Sequence, residues 1–115
     1  MTINNLLTQL RETPNTIDFA NVMQVINQFY SYVPTSFNNG PLFNNAGSNE
    51  GSCKIFYFAQ LHKLSEPETL DLFGTYYRND VLANPTGSDH GNIRNFMLTG
   101  WSGIKFDGLA LTQLN

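Results

Sequence analysis

The sequence predicts an α+β fold in which about five helices pack around a small sheet. Helical spacing of apolar residues dominates the start of the chain and returns in its second half. Two stretches, 32–44 and 104–111, instead combine short apolar runs with turn residues. Because these stretches lie far apart in the sequence, we expect them to pair in one sheet. The length of 115 residues fits a single domain, 1–115, with its own core.

Composition excludes several classes of function. Charged residues make up 13% of the chain and the net charge of −3 is spread without runs, so the chain has no basic stripe for nucleic acid. No apolar run approaches the ~20 residues that span a bilayer, and no signal peptide opens the chain. The single cysteine cannot form an intrachain disulfide, which fits a reducing compartment. We therefore expect no nucleic-acid partner, no membrane and a place in the cytoplasm.

The first two predicted helices are amphipathic. The first is capped by Thr2 and ended by Pro14, and the second is capped by Asn15 or Thr16 and stopped by Pro34. The apolar stripe of the first consists of Ile3, Leu6, Leu7 and Leu10. That of the second consists of Phe19, Val22, Met23, Ile26, Phe29 and Tyr30.

The middle of the chain predicts a hairpin and then a buried helix. Turn chemistry at residues 38–40 lies inside the extended stretch 32–44 and favours a short hairpin. The third helix, from Gly51 to about Leu64, is apolar nearly all round, which is typical of a central helix.

Two further helices and a second pair of strands complete the prediction. A capping box over residues 65–68 opens a helix that should run until just before Pro85. The fifth helix spans His90 to Thr99, and residues 104–111 suggest two strands around a two-residue turn. The aromatic residues expected in the core are Phe56, Phe58, Tyr76, Tyr77, Phe96 and Trp101.

The loop from Asn44 to Lys54 is the first candidate site. It is polar, contains several glycines and leads directly into the third helix, whose free N–H groups would point back towards it. Glu50 opposes binding of an anion there and also suits a role in balancing the helix dipole. The candidate ligand-binding residues of this loop are Asn44, Asn49, Glu50, Ser52 and Lys54.

Cys53 is a candidate nucleophile in the first turn of the same helix, where the helix dipole lowers the pKa of a thiol. His90 would act as its base, because His62 lies too far along the helix, and Asn49 or Asn92 would orient the base. The alternative is a structural role, since free cysteine is among the most commonly buried residues.

The segment 89–95 is the second candidate site. An imidazole, a guanidinium and amides fall near one helix face, which suits a carboxylate or phosphate ligand. The candidate ligand-binding residues here are Asn92, Arg94 and Asn95. Arg94 also suits a structural pair with Asp89 or Glu50. Trp101 either belongs to the core or floors a pocket with its indole N–H exposed. No metal site and no cofactor motif are found, because metal-ligand and nucleotide-loop spacings are absent.

Over most of its length the chain resembles the HopJ family, which is named for a type III effector of plant-pathogenic bacteria. The matching blocks fall in residues 34–40, 44–56, 73–77 and 89–101, the second reading Asn-x-Ala-Gly-x-Asn-Glu-Gly-Ser-Cys-Lys-Ile-Phe. The resemblance implies an association with type III secretion by name. It brings no established activity and no catalytic residues to these positions.

Three classes of function follow. The leading hypothesis is binding of a small polar or anionic ligand, or of a protein partner, by both candidate sites together. The first alternative is a thiol-dependent hydrolase or acyltransferase. The second is a type III secreted effector with an exposed aromatic patch, for which the candidates are Tyr30, Tyr32, Phe43 and Trp101. Since an amphipathic helix begins at Ile3 with no free tail before it, we expect the bacterial cytoplasm first and export second.

Overall fold

The computed structural model describes residues 1–114, which form five α-helices and two small antiparallel sheets. The helices are α1 (Ile3–Glu12), α2 (Phe19–Phe29), α3 (Glu50–Leu61), α4 (Glu66–Asp71) and α5 (Gly91–Thr99). The strands are β1 (Tyr30–Tyr32), β2 (Phe37–Asn39), β3 (Leu42–Asn44), β4 (Ile104–Phe106) and β5 (Leu111–Gln113). Short 3-10 turns cover Pro14–Thr16 and Gly100–Gly103, and Tyr76–Val81 is π-helical. The predicted α+β fold is confirmed.

The two strand stretches pair with each other, as predicted, but they form two sheets. In the order β3-β2-β4, Phe37 lies opposite Phe106, and in the β1-β5 pair, Tyr32 lies opposite Leu111. The predicted hairpin within 104–111 is wrong, because each of its strands takes a partner from the first stretch. Between the sheets the two stretches stay bonded, since the Val33 N–H donates to Ala110 O at 2.9 Å. The predicted hairpin around residues 38–40 is present as β2 and β3.

Helix α3 is the centre of the core, as its apolar sequence predicts. Every residue from Ile55 to Ala59 is buried. The Phe56 ring lies 5.0 Å from the Phe96 ring, 5.5 Å from the Phe73 ring and 6.1 Å from the Phe37 ring, measured between centroids. Burial of one large aromatic contributes roughly 1.5–3 kcal/mol, so this cluster fixes α3 against α5 and the larger sheet.

Helix starts follow local side-chain chemistry. The predicted cap at Thr2 and the predicted capping box at Ser65 are both formed, with Glu68 closing the box. The predicted cap of α2 is wrong. Asn15 and Thr16 belong to the 3-10 turn that Pro14 opens, so the cap falls to Asp18, whose Oδ1 accepts from Ala20 N at 3.1 Å.

The helix predicted from residue 65 to Pro85 is divided in two. Helix α4 ends at Asp71, and Gly74 takes a positive φ of 62° before the π-helix begins. A Cβ at Gly74 would lie 2.9 Å from Phe19 N, so the chain packs here directly against the start of α2. Only glycine combines this close approach with a left-handed backbone at low cost. This contact breaks a helix that periodicity alone would continue.

Candidate functional site

A cavity of about 330 Å³ opens between the start of α3 and the start of α5, and we call it the interhelical cavity. The helix starts contribute Asn49, Gly51, Ser52, His90, Gly91 and Asn92 to its lining. Phe19, Phe73, Tyr76 and Ile93 form the rest of the wall. Asn49, Ser52, His90 and Asn92 were all candidates from sequence. The two polar segments that looked separate in the chain therefore meet at one cavity.

Both helices begin in the same unusual way. The residue before each helix is left-handed, with φ 53° and ψ 48° at Asn49 and φ 52° and ψ 51° at His90. Asparagine and histidine are enriched among the non-glycine residues that adopt this conformation. Neither side chain forms a capping hydrogen bond to its helix. Both helix starts therefore lack the side-chain acceptor that usually caps a helix.

The free backbone N–H groups at these starts belong to residues that line the cavity. They are those of Gly51 and Ser52 in α3 and of Gly91, Asn92 and Ile93 in α5, none of which has an acceptor within residues 1–114. The dipole of each helix adds a partial positive charge of roughly half a unit at its start. The partial charges of the two helix starts therefore favour an anionic group.

Four asparagines hold the two helix starts together, and we call them the asparagine cluster: Asn39, Asn44, Asn49 and Asn92. Asn44 Oδ1 accepts from Asn49 Nδ2 at 2.7 Å and from Asn92 Nδ2 at 2.9 Å. Asn39 Nδ2 donates to Asn92 O at 2.8 Å and to Asn92 Oδ1 at 3.0 Å. Asn44 was predicted as a ligand contact, but it lies behind the cavity wall and joins β3 to both helices.

The apolar wall is built from aromatic rings in contact. The Phe19 and Tyr76 centroids lie 5.0 Å apart in an edge-to-face arrangement, and those of Tyr76 and His90 lie 5.1 Å apart with 32° between their planes. A Cβ at Gly51 would lie only 2.8 Å from Phe19 Cζ, so the Phe19 ring lies directly against the first turn of α3. Apolar surface therefore adjoins the free N–H groups.

His90 is held at the cavity by carboxylates. Its Nε2 lies 3.0 Å from Asp80 Oδ2 and 3.8 Å from Asp89 Oδ2, and about a quarter of its side chain (27%) is exposed. Asp80 therefore fixes the direction of the ring, while Tyr76 packs against its face. The imidazole can donate or accept a hydrogen bond at the cavity, depending on its tautomer.

Arg94 does not line the interhelical cavity and is instead engaged with the preceding loop. It donates to Asp89 Oδ1 at 2.6 Å, to Asp89 O at 2.6 Å and to Asn84 O at 2.9 Å. The hydrogen bond from Arg94 lowers the pKa of the Asp89 carboxyl. Of the two roles considered for Arg94, these contacts match the structural pair with Asp89.

Cys53 is buried, with 1% of its surface exposed, and its Sγ lies 3.6 Å from the Thr35 carbonyl oxygen, to which it donates. Burial raises the pKa of the thiol and outweighs the lowering by its hydrogen bonds and by Lys54. Cys53 is not among the residues that line the interhelical cavity, whereas the proposed base, His90, is. This placement gives the thiol-nucleophile hypothesis no support.

Lys54 and Glu50 are not among the residues that line the interhelical cavity. Lys54 Nζ donates to Asn27 Oδ1 at 3.0 Å and lies 4.7 Å from the centre of the Tyr32 ring. Glu50 is exposed and acts on the same tyrosine, because burial, Cys53 and Glu50 together raise the pKa of Tyr32. Glu50 therefore does not fill the anion position at the start of α3.

The remaining candidates lie further from the cavity. Trp101 Nε1 donates to the Leu64 carbonyl at 3.0 Å, so the indole N–H is engaged, not exposed as one hypothesis required. Asn95 is half-buried, and its backbone oxygen accepts from Thr99 Oγ1 at 3.0 Å. Of the aromatic residues considered for a patch, Phe43 is exposed and Tyr30 is buried. Other exposed apolar side chains include Leu82, Met97 and Leu98, the last being 84% exposed.

Comparison with known proteins identifies the family. The family model described as "HopJ type III effector protein" matches residues 3–111. The chain belongs to the HopJ family. A crystal structure titled as that of the unknown function protein VPA0580 is similar to this HopJ-family chain, with 46% sequence identity and a TM-score of 0.97, over 99% of this chain and 95% of the other. Among curated proteins, no sequence matches.

Within residues 1–114, no group of three or more His, Cys, Asp or Glu side chains is placed to hold a metal ion. No helix in that part of the chain is both long enough and apolar enough to cross a membrane.

Several cavity residues of this HopJ-family protein were missed from sequence. Phe19 was assigned to the apolar stripe of the second helix and Tyr76 to the core, although 41% of Tyr76 is exposed, and Phe73 lies in a segment predicted as plain helix. Asp80, which orients His90, carried no signal because it lies in a segment predicted as plain helix. The only hint was Gly74, since a glycine inside a helical pattern often marks a break in the helix.

Proposed function

We propose that this HopJ-family protein binds a small anionic ligand in the interhelical cavity. The observation that carries the proposal is the convergence of two helix starts with no side-chain cap, whose N–H groups have no acceptor among residues 1–114. Free N–H groups at a helix start are satisfied by side chains, water or ligands, and anions bind readily there. A carboxylate or phosphate oxygen supplies the acceptor that both starts lack.

The surroundings support this role. Asn92 is buried, with 6% of its surface exposed. Its Nδ2 carries two hydrogens, and within the described residues it has one acceptor, Asn44 Oδ1. The asparagine cluster fixes the two starts, so little ordering is needed when a ligand binds. Glu50, whose carboxylate would compete with an anion, is not among the residues that line the cavity.

Substitution Ser52→Asp tests the proposal. A carboxylate in the first turn of α3 is favourable to the helix dipole, but it also occupies the position of the ligand. We expect the thermal stability to stay the same or rise slightly. Titration with inorganic phosphate or acetate, followed by ¹⁵N–¹H NMR, should shift the amides of Gly91, Asn92 and Ile93 in the parent protein and not in the variant.

Ser31→Asp is the matched control. Ser31 is exposed in β1 and does not line the cavity, so the same change in charge and side chain should leave anion binding intact. Two results would contradict the proposal: no localised shift in the parent protein with either anion, or equal binding by parent and Ser52→Asp protein.

A second candidate function, action in a host cell after type III export, is supported by the family description. The exposed apolar residues Leu82, Met97 and Leu98 favour it, because a partner protein would cover them. A translocation reporter fused to the chain should then be delivered by a type III-competent strain and not by a secretion-deficient one. Equal retention in both strains would remove this candidate.

A further inference from the structure

We infer that the ligand of the interhelical cavity is a singly charged carboxylate carried on a flat apolar body, such as one aromatic ring. This inference rests on the proposed function and adds the chemical class of the ligand. Three observations carry it: the limited positive charge at the cavity, its small volume, and the aromatic rings beside the free N–H groups.

The charge at the cavity matches one negative charge, not two. No lysine or arginine is among the residues that line it. The two helix starts together supply roughly one positive charge in partial charges. Asp80 and Asp89 both lie within 3.8 Å of the His90 ring, and they would repel a dianion. Sites for phosphate dianions usually add an arginine or lysine, and Arg94, the nearest candidate in sequence, is engaged with Asp89 and Asn84.

The volume limits the size of the ligand. At about 330 Å³ the interhelical cavity is near the lower end of the range for small-molecule sites, roughly 300–1,000 Å³. A single-ring compound fits this space, whereas a nucleotide or a peptide would extend far outside it.

The wall of the cavity favours a flat body next to the charged group. Tyr76 is 41% exposed although it is a large aromatic residue, and it packs between Phe19 and His90. A planar ring lying against Tyr76 would cover this exposed surface. Because the Phe19 ring abuts the first turn of α3 at Gly51, the apolar surface and the free N–H groups are immediate neighbours. A ligand that contacts both surfaces at once carries its carboxylate directly on the ring or on a very short linker.

A matched set of probes tests this assignment by ¹⁵N–¹H NMR titration at pH 7. The probes are benzoate, cyclohexanecarboxylate, acetate, phenyl phosphate and benzamide. We expect benzoate to bind on the order of tenfold more tightly than acetate, since stacking on one aromatic ring is worth about that factor. Benzoate should also bind more tightly than cyclohexanecarboxylate and phenyl phosphate. Benzamide, which is neutral and has nearly the same shape, should not bind.

Tyr76→Ala should reduce the affinity for benzoate to the level of acetate. The control is Phe43→Ala, which removes an exposed ring (51%) that does not line the cavity and should change neither affinity. Circular dichroism of both variants checks that they are folded.

The possible results separate failure of this inference from failure of the proposed function. If acetate or cyclohexanecarboxylate binds as well as benzoate, or if Tyr76→Ala has no effect, the claim that the ligand has a flat apolar body is wrong, but the proposed anion site is retained. If phenyl phosphate binds more tightly than benzoate, the claim that the ligand carries a single charge is wrong. If benzamide binds as well as benzoate, or if no probe shifts the helix-start amides, the proposed function fails together with this inference.

Discussion

Cys53 lies in the first turn of α3, where the helix dipole favours a thiolate, yet its chemistry is set by burial. With 1% of its surface exposed, the sulfur is surrounded by the core and donates to Thr35 O. A charged thiolate is costly in such surroundings, and the pKa is accordingly raised. The helix dipole therefore favours a lower pKa of the Cys53 thiol, whereas burial in the core raises it.

The first prediction is that native Cys53 resists alkylation. At pH 8, iodoacetamide should modify the folded protein at least about 100-fold more slowly than the protein unfolded in urea, because reaction requires an opening of the core. Mass spectrometry of timed samples gives both rates. A native rate close to that of a free model thiol would show that the sulfur is accessible and would revive the thiol-enzyme hypothesis.

The second prediction concerns Arg94, which binds the loop before α5 through two carbonyl oxygens and one carboxylate. Loss of the two bonds to carbonyls in Arg94→Ala should lower the free energy of unfolding by about 2 kcal/mol. Asp89 is exposed, so it is not left as a buried unpaired charge and adds little to the cost. Urea unfolding measures the change.

Arg94→Lys is the matched control for charge. Lysine keeps the positive charge but lacks the planar set of donors, so it should recover less than half of the lost stability. Full recovery would mean that charge alone, without the geometry of the guanidinium, holds the loop. Anion binding at the interhelical cavity should persist in both variants if they fold.

At the scale of elements, local signals in the sequence predicted most helix starts, the cap of α2 excepted, whereas features that depend on long-range contacts were missed. The cap at Thr2 and the capping box at Ser65 involve residues three apart, and both are formed as predicted. The break at Gly74 depends on contact with the start of α2, and the pairing of β5 with β1 depends on a strand about 80 residues earlier. Apolar periodicity carries no information about such partners.

The third prediction concerns the contact between α3 and β1. The Tyr30 hydroxyl and His62 Nε2 are 2.6 Å apart and hydrogen-bonded, and the His62 ring packs 4.5 Å from Phe58. Burial lowers the pKa of His62 below its ordinary 6.5, so the folded state favours the neutral ring. The unfolded chain therefore takes up the proton first as the pH falls. Stability is fully present above about pH 6.5 and is lost as the pH falls towards the folded pKa.

Urea unfolding of the parent protein at pH 7.5, 6.5 and 5.5 should show this loss. His62→Gln retains a hydrogen-bonding partner for Tyr30 and has no proton to gain, so its stability should change less over the same range. Equal pH dependence in the two proteins would assign the effect to other groups.

At the scale of the whole molecule, the sequence predicted the polar half of the cavity and missed the apolar half. Asn49, Ser52, His90 and Asn92 were recognisable because polar residues next to glycines at helix starts are unusual in a chain with few charges. Phe19, Phe73 and Tyr76 looked like ordinary core residues, since periodicity shows that a residue is apolar and not whether a neighbour covers it. The break at Gly74 separates α4 from the π-helix that carries Tyr76.

The asparagine cluster also bears on the chemical lifetime of the protein. Asn39 precedes Gly40, and asparagine followed by glycine loses ammonia readily when the backbone nitrogen of the glycine attacks the side-chain amide. Here the Asn39 side chain is completely buried and bonded to Asn92, and the Gly40 N–H donates to Gly103 O at 2.9 Å. Both reacting groups are thus restrained in the native state. Deamidation would place a carboxylate against Asn92 Oδ1, so each episode of unfolding exposes the chain to damage that would prevent the two helix starts from reassembling.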